Sequence, residues 1–344
     1  MLVRSRAPLR LGLAGGGTDL SPYCDLHGGA VLNATIDLYA CATLEMPSAS
    51  GLVEFHASDM GRTLSLSPDE MFATSDDSLP LHVAAYRRIV KDFCSGKPFA
   101  CRLVTYCEAP PGSGLGSSST MVVGIVEAFV EALALPLGEY DIAYLAYEIE
   151  RLDAGLLGGR QDQYSAAFGG VNFIEFFAND RVIVNPLRVK QWILAELESS
   201  TLLFYTGVSR DSAAIIAEQT ANLARDTEKT IDAMHQLKND AFRMKEAVLK
   251  GNIRGIAEIL NSSWASKRQT AAGISNPRID GIMDAAFQAG ARAGKVSGAG
   301  GGGFITFIVD PVRRTEVISA LDKLDGRVMT CSFTNHGTEG WRLE

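Results

Sequence analysis

Apolar and polar residues alternate in several stretches of the chain, as they do along half-buried strands. The predicted strands cover residues 2–13, 30–46, two strands within 53–66, 101–107, a strand ending at 177, 181–184, 200–205, 304–309 and 327–333. Apolar residues at helical spacing predict helices at 80–93, 121–135, 137–152, 212–250, 253–269, 277–289 and 316–324, with a short helix inside 68–78. The chain is therefore expected to be a mixed protein with both helices and sheets.

The composition changes near Asn185 and Pro186, and we expect a domain boundary there. A chain of 344 residues is long enough to bury a full core and to form two domains. The expected domains are residues 1–185 and residues 186–344. The second half is predicted to be an α+β sandwich, because its strands and helices follow a βαβ-like order that closes with a helix and a strand.

Composition and charge narrow the class of protein. A 47% hydrophobic and 21% charged chain is typical of a globular domain. A net charge of −8 without a strongly basic stretch argues against nucleic acid as the main partner, although local cations can still bind a small anion. The sequence has no apolar run long enough to span a membrane and no signal peptide core. Six cysteines without a CxxC pair and five scattered histidines predict a reduced, cytoplasmic protein without a zinc site.

A glycine-rich loop lies between the strand predicted at 101–107 and the apolar helix after it. This phosphate loop consists of Pro111, Gly112, Ser113, Gly114, Leu115, Gly116, Ser117, Ser118 and Ser119. Glycines let the backbone turn its N–H groups toward one point, and the start of a helix adds further N–H groups and the positive end of a dipole. The serine hydroxyls stand where a helix cap or a Mg²⁺ ligand would be. The alternative is an ordinary glycine-rich turn with a serine N-cap.

Three more glycine-rich segments follow predicted strands or helices, at residues 14–20, 155–164 and 298–303. The first carries Thr18 and Asp19, a hydroxyl and a carboxylate suited to a polyol, although Asp19 could instead cap a helix. The second brings Asp162 into a loop. We expect the four segments to surround one phosphorylated ligand between the two domains.

Three of these patterns resemble the GHMP small-molecule kinases. Residues 111–119 are similar to that family's phosphate loop, residues 295–304 (KVSGAGGGGF) to its C-terminal glycine motif, and residues 7–19 to its N-terminal substrate motif. They occur in family order and span nearly the whole chain. The resemblance implies an α+β, two-domain fold, with an N-terminal α/β domain like domain 2 of ribosomal protein S5 and a C-terminal ferredoxin-like α/β sandwich.

The resemblance also implies roles for individual residues. The phosphate loop would surround the phosphates of ATP, and Ser118, or else Ser117 or Ser119, would hold Mg²⁺ together with Glu150. Asp162, twelve residues after Glu150, would be the catalytic base. Arg10 would keep that carboxylate ionised and steady the transferring phosphoryl group. The alternatives are a solvated helix residue for Glu150, as we expect for Glu148, a strand-edge salt bridge for Arg10, and Asp153 as a competing acid.

The substrate motif differs from that of galactokinases, because Gly16 and Gly17 stand where those enzymes have a glutamate and a histidine. Together with residues 27–37, it looks most like heptose kinases, which phosphorylate the anomeric hydroxyl of D-glycero-D-manno-heptose 7-phosphate; L-fucose kinase is the alternative. Substrate contacts are expected from Gly16, Gly17, Thr18, Asp19, Gly300, Gly301 and Lys295. Candidate cations for a sugar phosphate are Lys295, Arg160, Arg210 and Arg268.

Other classes fit the residues less well. A sugar sensor without activity would be expected to lack Asp162 or Glu150, and both are present. A dinucleotide-binding GxGxxG after the first strand and the lysine of a P-loop are both missing. The expected partners are ATP and a small sugar or sugar phosphate, without nucleic acid or membrane, and the oligomeric state is left open between a monomer and a homodimer.

Overall fold

The computed structural model describes residues 1–76, 78–207, 212–224 and 228–343. Its strands are β1 Leu2–Ala14, β2 Gly29–Glu45, β3 Val53–Ala57, β4 Arg62–Leu66, β5 Cys101–Cys107, β6 Val171–Phe176, β7 Val182–Pro186, β8 Thr201–Tyr205, β9 Ala291–Val296, β10 Phe304–Val309, β11 Arg327–Met329 and β12 Glu339–Leu343. Its α-helices are α1 Tyr23–His27, α2 Pro68–Ala73, α3 Pro80–Phe93, α4 Ser117–Leu133, α5 Glu139–Glu148, α6 Gln161–Phe168, α7 Gln191–Ser200, α8 Ser212–Ala224, α9 Glu228–Lys250, α10 Ile253–Lys267, α11 Pro277–Ala289 and α12 Arg314–Leu321.

The first sheet has eight strands, in the order β12-β1-β2-β5-β3-β4, with β6 paired to β2 and β7 paired to β6. Its long central strand β2 pairs with β6 through its first residues and with β5 through its last ones. Helix α4 packs on β1 and β2. Because α4 is apolar on nearly every side, residues such as Val122, Ile125 and Phe129 are fully buried. The start of this helix is thereby fixed against the sheet.

The second sheet has four antiparallel strands in the order β11-β8-β10-β9. Apolar side chains of β10, including Ile305 and Phe307, pack with Ile282 and Met283 of α11 and Val317 of α12. Sheet and helices form the two layers of an α+β sandwich. The predicted fold class is confirmed. The loop that joins β9 to β10 carries the C-terminal glycine motif.

The C-terminal strand β12 leaves the second half of the chain and pairs with β1, where Leu2 lies opposite Leu343. Residues 339–343 therefore belong to the first sheet. The division of the chain into domains of residues 1–185 and 186–344 remains a proposal. In the structure, β12 of the second range joins the sheet of the first. In the described part of the chain, no helix combines the length and apolar character needed to cross a bilayer.

Several predicted elements have different bounds. The helix predicted at 137–152 ends at Glu148 and continues as a π-helical turn, Ile149–Asp153. The strand predicted at 327–333 ends at Met329. The helix predicted at 212–250 is described as α8 and α9, and residues 225–227 between them lie outside the described residues. Helix α7 and strand β12 were not predicted: α7 has its buried Ile193, Leu194 and Leu197 at helical spacing within only ten residues, and β12 has no clear apolar period.

Candidate functional site

The phosphate loop enters α4 through glycines in the left-handed region. Gly112, Gly114 and Gly116 have φ values of 71°, 83° and 80°. Gly116 is the N-cap of α4, and no side chain caps that helix end. The alternative of a serine N-cap is therefore wrong. The N–H groups of the first helical turn have no partner within a helix, so this turn is suited to anionic oxygens.

The two glycine motifs touch through their backbones. A Cβ on Gly114 would overlap the carbonyl oxygen of Ser297, and a Cβ on Gly303 would overlap that of Ser113. The N–H of Phe304 donates to the Ser113 oxygen at 2.9 Å. Glycine is required at both positions because the loops approach more closely than a side chain allows. This contact joins the first half of the chain to the hairpin of the second.

A cavity of about 360 Å³ opens where these loops meet. Its lining comes from the N-terminal motif, the phosphate loop, the π-helical turn, the segment before α6, and helices α8 and α10. It includes Arg10, Gly17, Asp19, Pro111, Gly112, Gly114, Gly116, Ser117, Ser118, Ser119, Glu150, Arg151, Gln161, Asp162, Gln219, Lys267, Gly298 and Ala299. The prediction that distant glycine-rich segments surround one site is confirmed.

Asp162 and Arg10 form a close ion pair in this cavity. Nε and Nη2 of Arg10 lie 2.7 and 2.6 Å from Oδ1 of Asp162, and Nη1 donates to the Gly114 oxygen at 2.7 Å. The arginine side chain is 4% exposed and the aspartate side chain 20%. A Cβ on Gly116 would lie 3.1 Å from the Asp162 carboxyl carbon. The carboxylate therefore faces the start of α4, and Arg10 is not a strand-edge salt bridge.

Asp162 was expected in a loop, but it lies in the first turn of α6. The start of this helix is held by Asp19, which is 2% exposed. Oδ2 of Asp19 accepts from the N–H groups of Arg160 and Gln161 at 3.0 and 3.2 Å, while Oδ1 accepts from the Gln161 side chain at 3.0 Å and from the Gly17 N–H at 3.1 Å. These four bonds use the acceptor capacity of the carboxylate. Asp19 thus caps the helix that carries Asp162, which agrees with the alternative of a helix cap, and because it also lines the cavity its contact with the substrate stays a prediction.

Glu150 lies on the π-helical turn, is 2% exposed and faces the phosphate loop. Ser118 Oγ donates to its Oε1 at 2.7 Å, Arg151 Nη1 lies 3.1 Å from the same atom, and Gln163 Nε2 donates to Oε2 at 2.7 Å. Ser117 and Ser119 make other contacts, to Pro110 and to Gln163. Glu150 is therefore not a solvated residue. A hydroxyl and a carboxylate are hard oxygen donors, so the chemistry of this pair fits Mg²⁺.

Several residues expected to contact the substrate lie behind the cavity wall. The Thr18 hydroxyl is fully buried and lies within 2.9 Å of the Gly15 and Ala30 oxygens. Gly301 N donates to the Ile274 oxygen, and a Cβ on Gly300 would meet the same residue. Lys295 is buried on β9 with Nζ 3.2 Å from the Gly12 oxygen. The predicted contacts of Thr18, Gly300, Gly301 and Lys295 are therefore corrected to packing roles. Gly16 is also outside the lining, although its Cβ position would lie 3.8 Å from Gln161 Nε2.

The other charged candidates are engaged elsewhere. Arg160 pairs with Asp180 at 2.8 Å, and Arg268 with Asp280 at 3.4 Å, both away from the cavity lining. Arg210 lies outside the described residues. The competing acid Asp153 accepts two hydrogen bonds of 2.8 Å from Arg88 and lines a separate groove. Glu148 contacts the same arginine at 3.4 Å and is only partly exposed.

Sequence reasoning missed Lys267 and Arg151. Lys267 ends α10, far from every glycine motif, and no spacing in the sequence relates it to the site. Arg151 directly follows Glu150, and its guanidinium donates to the Gly159 oxygen at 3.2 Å. Of the two, only Arg151 could have been found from the sequence, because it is a basic residue directly next to the expected metal ligand Glu150.

Comparisons with known proteins agree with this geometry. A model of the GHMP kinases N terminal domain matches residues 81–170, and a model of the GHMP kinases C terminal matches residues 244–325. A D-glycero-alpha-D-manno-heptose 7-phosphate kinase from Campylobacter jejuni is 48% identical over 341 residues, which cover 99% of both chains. The chain belongs to the GHMP kinase family. It is thus an ATP-dependent kinase, and its two-domain architecture is that of the family.

Two further relatives bear on the specificity of this GHMP kinase. The crystal structure of a D-glycero-D-manno-heptose 1-phosphate kinase from Bacteroides thetaiotaomicron superposes with a TM-score of 0.84 at 47% identity and covers 99% of both chains. An L-fucokinase/L-fucose-1-P guanylyltransferase from Bacteroides fragilis is 26% identical over 340 residues, covering 90% of this chain and 35% of that protein.

Proposed function

We propose that this GHMP kinase transfers the γ-phosphate of ATP to the anomeric hydroxyl of D-glycero-D-manno-heptose 7-phosphate. The product would be the 1,7-bisphosphate, a precursor of nucleotide-activated heptose for surface polysaccharide. The observation that carries the proposal is the Arg10–Asp162 pair beside the phosphate loop in one cavity. The 48% identical heptose 7-phosphate kinase supports the choice of acceptor.

In the proposed reaction, Asp162 accepts the proton of the sugar hydroxyl as its oxygen attacks the γ-phosphorus. The bond from that phosphorus to the bridging oxygen breaks, and ADP leaves with the electron pair. Arg10 donates to Oδ1 of Asp162 through two nitrogens, which fixes the carboxylate and places positive charge beside the transferring group. The phosphate loop and the start of α4 direct N–H groups at the nucleotide phosphates.

Ser118 and Glu150 would hold Mg²⁺, which supplies neutralisation of phosphate charge when it is bound. The side chains of Arg151 and Gln163 orient Glu150 through contacts of 3.1 and 2.7 Å. We propose these two ligands because Glu150 is buried and its contact with the Ser118 hydroxyl places two hard oxygens beside the phosphate loop.

For the sugar, we propose the part of the cavity next to Gly17. A Cβ on Gly17 would lie 2.9 Å from Gln219 Nε2, so the absence of a side chain at Gly17 lets the Gln219 amide come up against the N-terminal motif. The amide groups of Gln161 and Gln219 line the same wall and can donate to or accept from hydroxyl groups. Asp19 lines the same cavity and fixes the start of α6.

The named relatives differ in their acceptors, and this defines the experiment. ATP consumption and the site of phosphorylation would be measured with heptose 7-phosphate, heptose 1-phosphate, unphosphorylated heptose and L-fucose. We expect the 7-phosphate to have the highest kcat/KM and to gain its phosphate at the anomeric oxygen. Preference for the 1-phosphate or for L-fucose would contradict the proposed acceptor and leave the kinase assignment intact.

A further inference from the structure

We infer that Lys267 is a further catalytic residue, which binds oxygen atoms of the phosphoryl group during its transfer. The inference rests on the proposed function and extends it to a residue outside the three family-like motifs. Lys267 is the last residue of α10, and its side chain is 3% exposed. It nevertheless lines the cavity, so its charged end reaches the site from the second half of the chain.

The contacts of Lys267 place it at the point where the glycine motifs meet. Its Nζ donates to the Gly298 oxygen at 2.5 Å. A Cβ on Gly298 would overlap the backbone of Gly114, which shows how closely the two loops approach. The Gly114 oxygen in turn accepts from Arg10. Lys267, Gly298, Gly114 and Arg10 are therefore linked by consecutive contacts into one wall of the cavity, and Arg10 pairs with Asp162 at the end of this wall.

Lys267 has donors available for a ligand. An ammonium group carries three N–H donors. Among the described residues, the hydrogen-bond acceptor found for these N–H groups is the Gly298 carbonyl. A buried ammonium with so few partners is unfavourable unless an anion compensates for its lost hydration. A phosphoryl group entering the cavity would supply those oxygen atoms, as it would for Arg10 on the same wall.

The charge of Lys267 is consistent with this role. The pKa of Lys267 is lowered to about 8, chiefly by burial and also by the nearby Arg10, against the carboxylates of Asp19 and Asp162, which raise it. At neutral pH the ammonium form still predominates. An approaching phosphoryl group would favour that form more strongly.

The same ammonium could instead bind the phosphate that the acceptor already carries. The two sources share the chemistry of a phosphate oxygen but differ in what they require. A contact with the transferred group depends on the γ-phosphate and needs no acceptor. A contact with the acceptor's phosphate requires the phosphorylated sugar and does not depend on the γ-phosphate of the nucleotide. The position of Lys267 against Gly298, next to the phosphate loop, favours the transferred group.

The test compares nucleotide binding by the wild type and Lys267→Met, using ADP and a non-hydrolysable ATP analogue without acceptor. We expect the variant to bind the analogue about tenfold more weakly and ADP within about twofold of the wild type. Its kcat should fall by about 100-fold, as on removal of a transition-state donor, with a smaller change in the acceptor KM. Lys267→Arg, which keeps a charge, should recover part of the analogue affinity.

Arg254→Met is the matched control, because Arg254 lies on the same helix with an 86% exposed side chain. It should leave both affinities and kcat unchanged. Partial unfolding would lower both affinities equally, so the ratio of analogue to ADP affinity remains informative. An unchanged ratio would overturn the inference, and an unchanged ratio with a raised KM for phosphorylated acceptors alone would assign Lys267 to the acceptor. Because the binding test uses no sugar, it is independent of the proposed acceptor.

Discussion

The hydroxyl of Ser118 donates a 2.7 Å hydrogen bond to Oε1 of Glu150, although 32 residues separate the two in the chain. Ser118 lies in the first turn of α4, and Glu150 lies on the π-helical turn that follows α5. Such turns widen a helix locally and occur often at functional sites. Here the turn points a buried carboxylate at the phosphate loop, which is the basis of the proposed metal position.

The first prediction concerns Glu150→Gln. The change keeps the shape of the side chain and removes its charge, so Mg²⁺ loses a hard anionic ligand. We expect the Mg²⁺ concentration for half-maximal activity to rise at least about tenfold, together with a lower kcat. The measurement is a Mg²⁺ titration at fixed ATP. Glu148→Gln is the control, since Glu148 contacts Arg88 outside the cavity. Equal Mg²⁺ dependence in both variants would rule out Glu150 as a ligand.

The second prediction separates capping by Asp19 from sugar binding. Asp19→Ala removes three hydrogen bonds at the start of α6 and one to the Gly17 N–H, and we expect it to lower the free energy of unfolding by about 3 kcal/mol. Because α6 carries Asp162, kcat should fall more than the acceptor KM rises. Denaturant unfolding and steady-state kinetics measure the two effects.

Asp25→Ala is the control for Asp19, because the Asp25 carboxylate lies outside the cavity lining, where it accepts from the Arg160 guanidinium at 3.5 Å and from the Cys24 thiol at 3.6 Å. It should leave kcat nearly unchanged. A variant at Asp19 with normal stability and a strongly raised acceptor KM would restore the interpretation of Asp19 as a sugar ligand.

The third prediction concerns the contact between the glycine motifs. Gly114 and Gly51 both have left-handed φ values, 83° and 74°. A Cβ on Gly51 meets open space, whereas one on Gly114 overlaps the Ser297 oxygen. Gly51→Ala should lower the free energy of unfolding by about 1 kcal/mol through backbone strain alone. Gly114→Ala should cost clearly more and abolish nucleotide binding, as calorimetry would show; equal effects would mean that the loops do not need this close approach.

The fourth prediction concerns stability and pH. The pKa of Lys295 is lowered to about 7, chiefly by burial and also by the neighbouring cations Lys267 and Arg10, while Asp240 raises it. Between about pH 7 and 10, the unfolded chain then binds the proton more strongly than the folded one, so stability rises with pH through this window. At and below about pH 7, burial of the charged Lys295 lowers the free energy of unfolding by its full amount, on the order of a few kcal/mol.

Lys295→Met removes that dependence. The difference in unfolding free energy between variant and wild type should therefore shrink as the pH rises from 7 to 10. Lys323→Met, at an exposed position, should show a constant difference. Parallel pH profiles for Lys295→Met and the wild type would mean that Lys295 is not held in a low-polarity environment.

Local pattern predicted the elements around the phosphate loop well. Strand β5 and helix α4 have their own period and their own apolar content, so neighbouring residues determine them. Strand β12 was missed because Glu-Gly-Trp-Arg-Leu has little strand character, and it forms because the edge of β1 offers hydrogen bonds. Its pairing depends on residues more than 300 positions away.

The residues of the site likewise divide into those that the sequence predicts and those that depend on distant parts of the chain. The resemblance to GHMP kinases implies the proposed roles of Ser118, Glu150 and Asp162, and the structure brings these three residues together in one cavity lining. The start of α6 could not be predicted, because its capping residue Asp19 lies 142 positions before Gln161. Lys267 could not be predicted either. It reaches the cavity only because α10 packs on α9, β9 and β1 in the folded chain.

The central claim is that Asp162 removes the proton of the acceptor hydroxyl at the γ-phosphate of bound ATP. Asp162→Asn keeps the side-chain shape and removes its capacity as a base. The decisive measurement is kcat with heptose 7-phosphate alongside the ATP Kd of the same variant. We expect turnover to fall by about 1,000-fold or more while the ATP Kd stays within about threefold of the wild type. Turnover near the wild-type rate would contradict this claim.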